Sequence, residues 1–441
     1  MATMSTSQLA LINAAFTANM ENNIVASRLV QWRAPKDDGA DRRSRYSYIE
    51  RVSARTNSRR TSGAVADLSA GVQDRVYGSE IFKLDDLINR DFDMADFARI
   101  RDEDSALRDE TLRTVAIQMG EDVDADILRK TVMAGGNWLG TPGADIASIE
   151  ALMDAFVRLK QEGVPEADIY AVLAYQDMAG LAKYLVQTST ANMNSQESVL
   201  AKFGDSPRLK ELVGMKVLFT QQLPVLVTGT RVNGTVNGAS QSVNYSAVAQ
   251  STTTNGNFLT QTLSIAGVGA NATIRDGEVF TLAGVDAWDN RKNATQGRPQ
   301  QFRVIGDHTA TAGGAVAALR IYPAIIPANG SIIGAAGVDN AHATVNAAPA
   351  NGAAITFVGA ANSSYLQRAV IGRAAVRVET ARLEDLASGE TSHRQMRSIP
   401  LHMRLHKYSN GDTGVTRLRF DSAYTPNILP FGRSYVCRVN G

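Results

Sequence analysis

The chain has 441 residues, 44% hydrophobic and 20% charged, with 45 Lys+Arg against 44 Asp+Glu for a formal charge of +1. That length exceeds one ordinary core and implies two or three folded domains. The balance of charge does not favour nucleic acid or an anionic membrane as partner, the single cysteine (Cys437) excludes an intramolecular disulfide framework or zinc ribbon, and no apolar run reaches the roughly 20 residues of a membrane-spanning helix.

The start, MATMSTSQLALINAAF, lacks the basic residues of a secretory signal, which predicts a protein made and kept in a cytoplasm. The Asn-x-Ser/Thr triplets at Asn233, Asn271 and Asn293 then read as turn chemistry rather than glycan acceptors. From Ser7, a possible N-cap, to about Met20, the residues Leu9, Ile12 and Phe16 recur at helical spacing. No adjoining sequence offers to bury that face, so the helix is either a frayed terminus or an arm that packs on another subunit. Next, Pro35 and Gly39 open a segment carrying Arg42, Arg43, Arg45, Arg51, Arg55, Arg59 and Arg60, with Tyr46 and Tyr48 in alternation. The pattern suits a long two-stranded loop. Arginine interleaved with tyrosine can grip a nucleic-acid backbone, or fork onto carboxylates of a neighbouring subunit. The near-zero total charge favours the second.

From Ser79 acids and apolar residues mix. Leu107, Leu112, Val115, Ala116 and Met119 mark one stripe of a long helix, with Asp102, Glu103 and Asp104 near its start, where acids suit the dipole. No His or Lys converges on these carboxylates, which read as a solvated face. After the GGNWLGTPG loop, which has no phosphate-cradle spacing, Asp145 is a plausible N-cap for a helix with Ile146, Ile149, Met153, Phe156 and Leu159 buried, ending at Gly163 and Pro165. Ile169–Ala174 reads as a buried strand and Met178–Gln187 as the next helix, making an α/β unit.

Between about Leu223 and Phe357 the character changes again. Short runs of Val, Ile, Leu, Phe and Thr alternate with Asn-Gly, Asp-Gly and Gly-Gly breaks, the pattern of short antiparallel strands in tight turns. Beyond it AAVRVET reads as a strand. SIPLHMRLHKY and TRLRFDSAY form a hairpin around Asn410-Gly411 with Leu401, Met403 and Leu405 on one face, and Tyr435 to Val439 adds an edge strand. His402 and His406 are the one histidine pair at a metal-like interval, but on a strand four residues span about 13–14 Å, too far to share a zinc ion. They read as solvent-side. No Gly-x-Ser-x-Gly elbow is present and Cys437, near the C-terminus, is poorly placed for an activated thiolate. No enzyme and no cofactor is expected.

The insert opens with LPVLVTGT, continues through DGEVFTLAGV, and closes with QQFRVIGDHT and ALRIYPAII; upstream stands LRDET (Leu107–Thr111). These stretches resemble the major coat protein family of Salmonella-type short-tailed phages, the podovirus branch of the Hong Kong 97 capsid fold. The resemblance implies an α+β, Hong Kong 97-like capsid fold: N-terminal arm (1–35), extended loop (36–80), peripheral domain with a spine helix (81–144), axial α/β domain (145–222), inserted antiparallel β-barrel domain (223–360) and return strands (361–441). It implies a non-catalytic subunit of an icosahedral shell, forming hexamers and pentamers, with a scaffolding protein, a portal protein, packaged double-stranded DNA and a possible decoration protein as partners, and no membrane. On that reading Leu9, Ile12 and Phe16 and the seven arginines are inter-subunit contact candidates. Two departures stand out. Ala247–Asn257, where the family carries inter-capsomer charges, has none, and Lys36 is the only lysine of the extended loop, which implies a shell without covalent crosslinks. The rival classes are a β-rich receptor- or glycan-binding protein, with Trp288, Tyr245 and Tyr322 as its aromatics, a nucleic-acid binder acting through the Arg/Tyr loop, and an undetected hydrolase.

Overall fold

A computed structural model describes residues 6–21, 24, 26–33, 43–49, 77–83, 87–93, 109–189, 211–212, 214–243, 259–289, 294–328, 343–386, 389–409, 416–428 and 431–441. Among them are four α-helices: α1 (Thr6–Glu21), α2 (Glu110–Met133), α3 (Glu150–Glu162) and α4 (Tyr175–Ser189).

Helix α2 starts inside LRDET. The Asp109 side chain caps it by accepting from the Leu112 N–H at 2.8 Å, and Glu110 complements the dipole in the first turn. Leu112, Ala116, Met119, Val123 and Ile127 return every three or four residues and are all buried, while Val115 is only partly so. Asp102, Glu103, Asp104 and Leu107 lie outside the described residues.

Helix α1 folds back onto its own chain. Leu9, Ile12, Phe16 and Met20 are fully buried, packed against α2 and against the strands Glu390–Gln395 and His402–Ser409. The Phe16 ring stacks on Phe420 with centroids 3.9 Å apart, and Asn13 donates to the Ser392 carbonyl at 2.9 Å. Glu21 closes the helix by accepting the N–H groups of Arg397 and Ser398. This corrects the expectation of an arm with nothing to bury it. The covering surface comes from α2 and from strands more than 370 positions away, which no local reading of the N-terminus reaches. Ser7 lies inside the helix, not at its cap.

Two sheets organise the body. In the first, Gln31–Trp32, Val376–Ala381, Thr416–Ile428, His402–Ser409 and Glu390–Gln395 lie side by side in that order, and Leu87–Asp93 pairs antiparallel with Thr416–Ile428. Leu401, Met403 and Leu405 point into the core, as the hairpin alternation predicts. In the second the order is Asn137–Leu139, Val436–Val439, Arg368–Gly372, Ile169–Leu173, Met215–Phe219 and Glu211–Leu212. The C-terminal strand expected at an edge is therefore internal, and all four of its residues are buried. A buried ion pair anchors this sheet: Arg368 Nε donates to Asp177 at 2.6 Å, its Nη2 reaches Asp145, and Asp177 also accepts the Ile146 and Ala174 N–H groups. Residues 145–149 are held in that network rather than in a helix, so α3 begins only at Glu150, without Asp145 as its cap. Of the predicted stripe, Ile146 and Leu159 are fully buried and Ile149 and Phe156 pack partly buried on the same core, but Met153 is exposed, and Leu152, Ala155 and Arg158 complete the buried face of α3. Gly163, at φ +91°, stops it as expected.

The insert is a closed barrel of six antiparallel strands, in the order Gly234–Val236, Gln261–Ala266, Val316–Tyr322, Ala294–Val304, Val279–Asp289 and Ala354–Phe357. Inward residues such as Leu263, Ile265, Phe280, Phe302, Leu319 and Ile321 fill it. Before and after it, Val225–Val227 and Ser364–Leu366 pair as a neck. Where the chain enters, Arg231 Nε donates to Glu278 at 2.6 Å, both residues are buried, and Glu278 also accepts the Gly229 and Arg275 N–H groups. Of the Asn triplets, Asn271 sits in a turn at φ +51°, whereas Asn233 lies outside a turn and accepts the Phe357 N–H at 3.0 Å across the barrel. Asn293 and the stretch 247–257 lie outside the described residues.

Truncating Phe16 to Ala removes a stacked, fully buried ring and should destabilise the unassembled subunit by about 3–5 kcal/mol in urea unfolding. A loss below about 1 kcal/mol would show that α1 is not docked in the isolated subunit.

Candidate assembly surfaces

Two strands in the first quarter of the chain form a ribbon of their own. Arg43–Ile49 pairs antiparallel with Tyr77–Lys83 over seven rungs, from Arg43 opposite Lys83 to Ile49 opposite Tyr77. Among the described residues no third strand joins it. Two strands alone are marginal in water and leave open edges, so such a ribbon gains stability from a surface supplied by something else. Of the predicted contact arginines, Arg43 and Arg45 stand on this ribbon; Arg42, Arg51, Arg55, Arg59 and Arg60 lie outside the described residues. Leu9, Ile12 and Phe16 are brought together elsewhere, in the core.

Apolar side chains missed by pattern reasoning do reach the surface. Met153 and Val157, one turn apart on the outer face of α3, are 46% and 50% exposed. Val225 and Val227 project from the neck on the face opposite buried Leu226. A period of 3.6 or 2 identifies a stripe, but not which way the element is turned.

The barrel is fastened to the body at the Gly-rich loop. The Trp138 N–H donates to Gln301 Oε1 and Gln301 Nε2 donates back to the Trp138 carbonyl, both at 2.7 Å. Arg303 Nε donates to the Met133 carbonyl at 2.6 Å, and its Nη2 meets Asp276 at 3.0 Å. Burial pushes Arg303 down to about 10, and burial together with nearby Arg303 pushes Arg438 down to about 9, so both are charged at neutral pH. Arg438 lies over the Trp138 ring at 5.3 Å, while the Trp138 indole N–H donates to Asn440 at 2.7 Å. The glycines permit this crowding. A Cβ on Gly140, whose φ is +82°, would lie 1.9 Å from the Asn440 carbonyl oxygen, and one on Gly136 would press on the Tyr322 ring. The loop that has no phosphate-cradle spacing is a packing joint.

The side chains weighed for chemistry are placed otherwise. His402 and His406 share one strand, four residues apart. His406 is only 3% exposed, which corrects its reading as solvent-side: Gly389 passes close over it, and burial holds its pKa below the usual value. Between the two histidines, Arg404 donates to Asp421 at 2.6 Å. Among the described residues no group of three or more His, Cys, Asp or Glu is arranged to hold a metal ion, and no helix is long and apolar enough to cross a membrane. Cys437 is buried in the second sheet, where burial pushes its thiol up to about 12. A thiolate fraction of about 10⁻⁴ at pH 8 follows from that shift. The native subunit should therefore resist a disulfide-exchange reagent at pH 8 and yield one equivalent of thiol once unfolded; fast labelling of the native protein would contradict the burial.

A profile of the family described as "P22 coat protein - gene protein 5" matches residues 1–430. No curated protein matches the chain by sequence. Similar solved structures include one described as "Mycobacterium phage Che8", 10% identical over 94% of this chain and 90% of that one, with a TM-score of 0.42. Another, "Asymmetric unit of bacteriophage PhiM1 mature capsid", is 10% identical over 95% and 87%, with a TM-score of 0.39. A third, "CUS-3 coat protein I-domain", is 25% identical over 28% of this chain and 93% of that one, with a TM-score of 0.21.

Proposed function

The chain belongs to the P22 coat protein family and is a major capsid protein whose copies build the icosahedral shell of a phage virion; beyond that premise, we propose the part each element plays. The second sheet with α3 and α4 is the axial domain, the first sheet with the long helix α2 as spine is the peripheral domain, and the six-stranded barrel is the inserted domain of a Hong Kong 97-like fold. The ribbon of Arg43–Ile49 and Tyr77–Lys83 is the extended loop, and its partner is the surface of a neighbouring copy. Shell assembly in a host cytoplasm, around a scaffolding protein and with a portal at one vertex, leaves double-stranded DNA enclosed without sequence preference. A decoration protein is a further partner of the outer surface.

One observation carries this reading. The body and the barrel each have a filled core, yet the ribbon joins no third strand among the described residues. A monomeric protein has little use for such an extension, whereas in a lattice each modest ribbon contact is repeated at every subunit, so weak contacts sum to a stable shell. The receptor-binding alternative loses support at Tyr322, which is buried at the joint instead of being displayed. The family is a structural one, and no catalytic step is assigned.

Replacing Arg42, Arg43 and Arg45 together with Ala should sharply reduce the yield of shells seen by negative-stain microscopy while leaving the subunit's circular dichroism unchanged. Undiminished assembly would remove the ribbon's docking role. Lys36 and, at the ribbon's base, Lys83 are the lysines of this region. Neither is assigned to a crosslink, so mature particles should run as a single subunit band on denaturing gels; a ladder of covalent oligomers would refute this.

A further inference from the structure

The link between Val376–Ala381 and Glu390–Gln395 crosses the face of the first sheet that is turned away from α1, and its described residues, 382–386 and 389, are fastened at three points. The Glu384 carbonyl accepts from Arg404 Nη1. Asp385 accepts the Thr391 hydroxyl at 2.8 Å and meets His393 Nε2 at 2.6 Å. Gly389, at φ +101°, lies so close to the sheet that a Cβ there would stand 2.1 Å from the Lys407 carbonyl oxygen and 2.8 Å from His406 Cε1. Beneath the link is a buried group of charges. Arg404, His406 and Tyr408 share the face opposite Met403 and Leu405, and Asp421 and Arg419 are the cross-strand partners of Arg404 and His406. Both Asp421 oxygens are taken, one by Arg404 and the other by Arg419, each at 2.6 Å. The His406 ring stacks on Tyr408 with centroids 5.7 Å apart, and its Nδ1 is buried with no hydrogen-bond partner. Along the same face stand His402 on its own strand, Arg417 opposite Tyr408, His393 opposite Arg404, and Asp91, 3.9 Å from Arg419.

We propose that the 382–389 link is an acid-released latch, closed over a neutral His406 and lifted when that imidazole takes up a proton. The cation carries an N–H on both ring nitrogens, and at Nδ1 nothing is there to accept it. It would also be a third positive group beside two guanidiniums whose shared carboxylate is already committed. Burial and the Arg404 and Arg419 charges therefore hold the ring neutral, against the pull of Asp421. Once the link is lifted the ring meets water and titrates near the ordinary imidazole value of about 6.5. The closed state thus binds fewer protons than the lifted one: it is unaffected above that pH and loses ground as the pH falls below it. Charging His393 acts in the opposite sense, since it tightens the contact with Asp385. Lifting bares Arg404 and Asp421 to water and leaves the core on the α1 side in place. The latch does not rest on the shell reading.

The test uses the full-length unassembled subunit with a nitroxide spin label on Leu386→Cys, a position on the link that is already exposed; Cys437 is too deeply buried to take the label. The spectrum separates a restrained from a mobile population, and their ratio reads the opening of the latch. From about pH 7 to about pH 5 the mobile-to-restrained ratio should rise roughly five- to twentyfold, as the uptake of one proton on opening requires. On the same labelled background His406→Gln, which is neutral throughout, should change by less than about twofold over that range. No rise in the chain that keeps His406 overturns the latch. So does a rise that persists in His406→Gln, which would assign the response to another group of that face, such as His402. If His406→Gln does not fold, His406→Phe, which keeps a ring against Tyr408, is judged by the same criterion.

Discussion

The contact on which the placement of the two halves depends is Arg303 donating to the carbonyl of Met133, the last residue of α2. Helix ends leave carbonyls without intrahelical partners, and a buried one must find a donor. Here the donor is supplied by the barrel. Taking a guanidinium out of water is expensive, and the cost is met by that carbonyl and by Asp276. The reciprocal amide pair of Trp138 and Gln301 adds a second, directional fastening a few residues away. Together they make the barrel an extension of α2 rather than a module hanging on the short neck of Val225–Val227 and Ser364–Leu366.

The same helix receives α1 on its flank, and its Asp124 accepts the Ala26 N–H at 2.9 Å. The N-terminal helix and the barrel thus converge on α2. A subunit built this way enters assembly with its body finished. Outside that body stand a ribbon that no third strand joins among the described residues and a few exposed apolar side chains, Met153 and Val157 among them. Such contacts are weak singly, which suits a shell that must correct errors while growing and become stable only on closure.

Charge at the joint is handled without regard to overall balance. Arg158, Arg303 and Arg438 are each desolvated, and in each burial lowers the pKa. Arg158 finds Asn137 at 2.5 Å, while Arg438 finds the face of Trp138. A composition-level charge of +1 conceals this clustering completely.

Local chemistry alone determined several features: the buried stripe of α2 at Leu112, Ala116 and Met119, the stop at Gly163, the strand of Ile169–Leu173, the terminal hairpin with Leu401, Met403 and Leu405 inward, and an antiparallel β module of short strands. Each depends on capping, periodicity or turn residues within a few positions of one another. Tertiary structure decided the rest. It buried Leu9, Ile12 and Phe16 under strands from the far end of the chain, placed Val436–Val439 inside a sheet, drew Asp145 from a helix cap to Arg368, left Met153 exposed, and covered His406 with Gly389. Those outcomes require knowing which distant segment lies opposite. Periodicity marks a face as apolar, but its partner is chosen only when the whole chain closes.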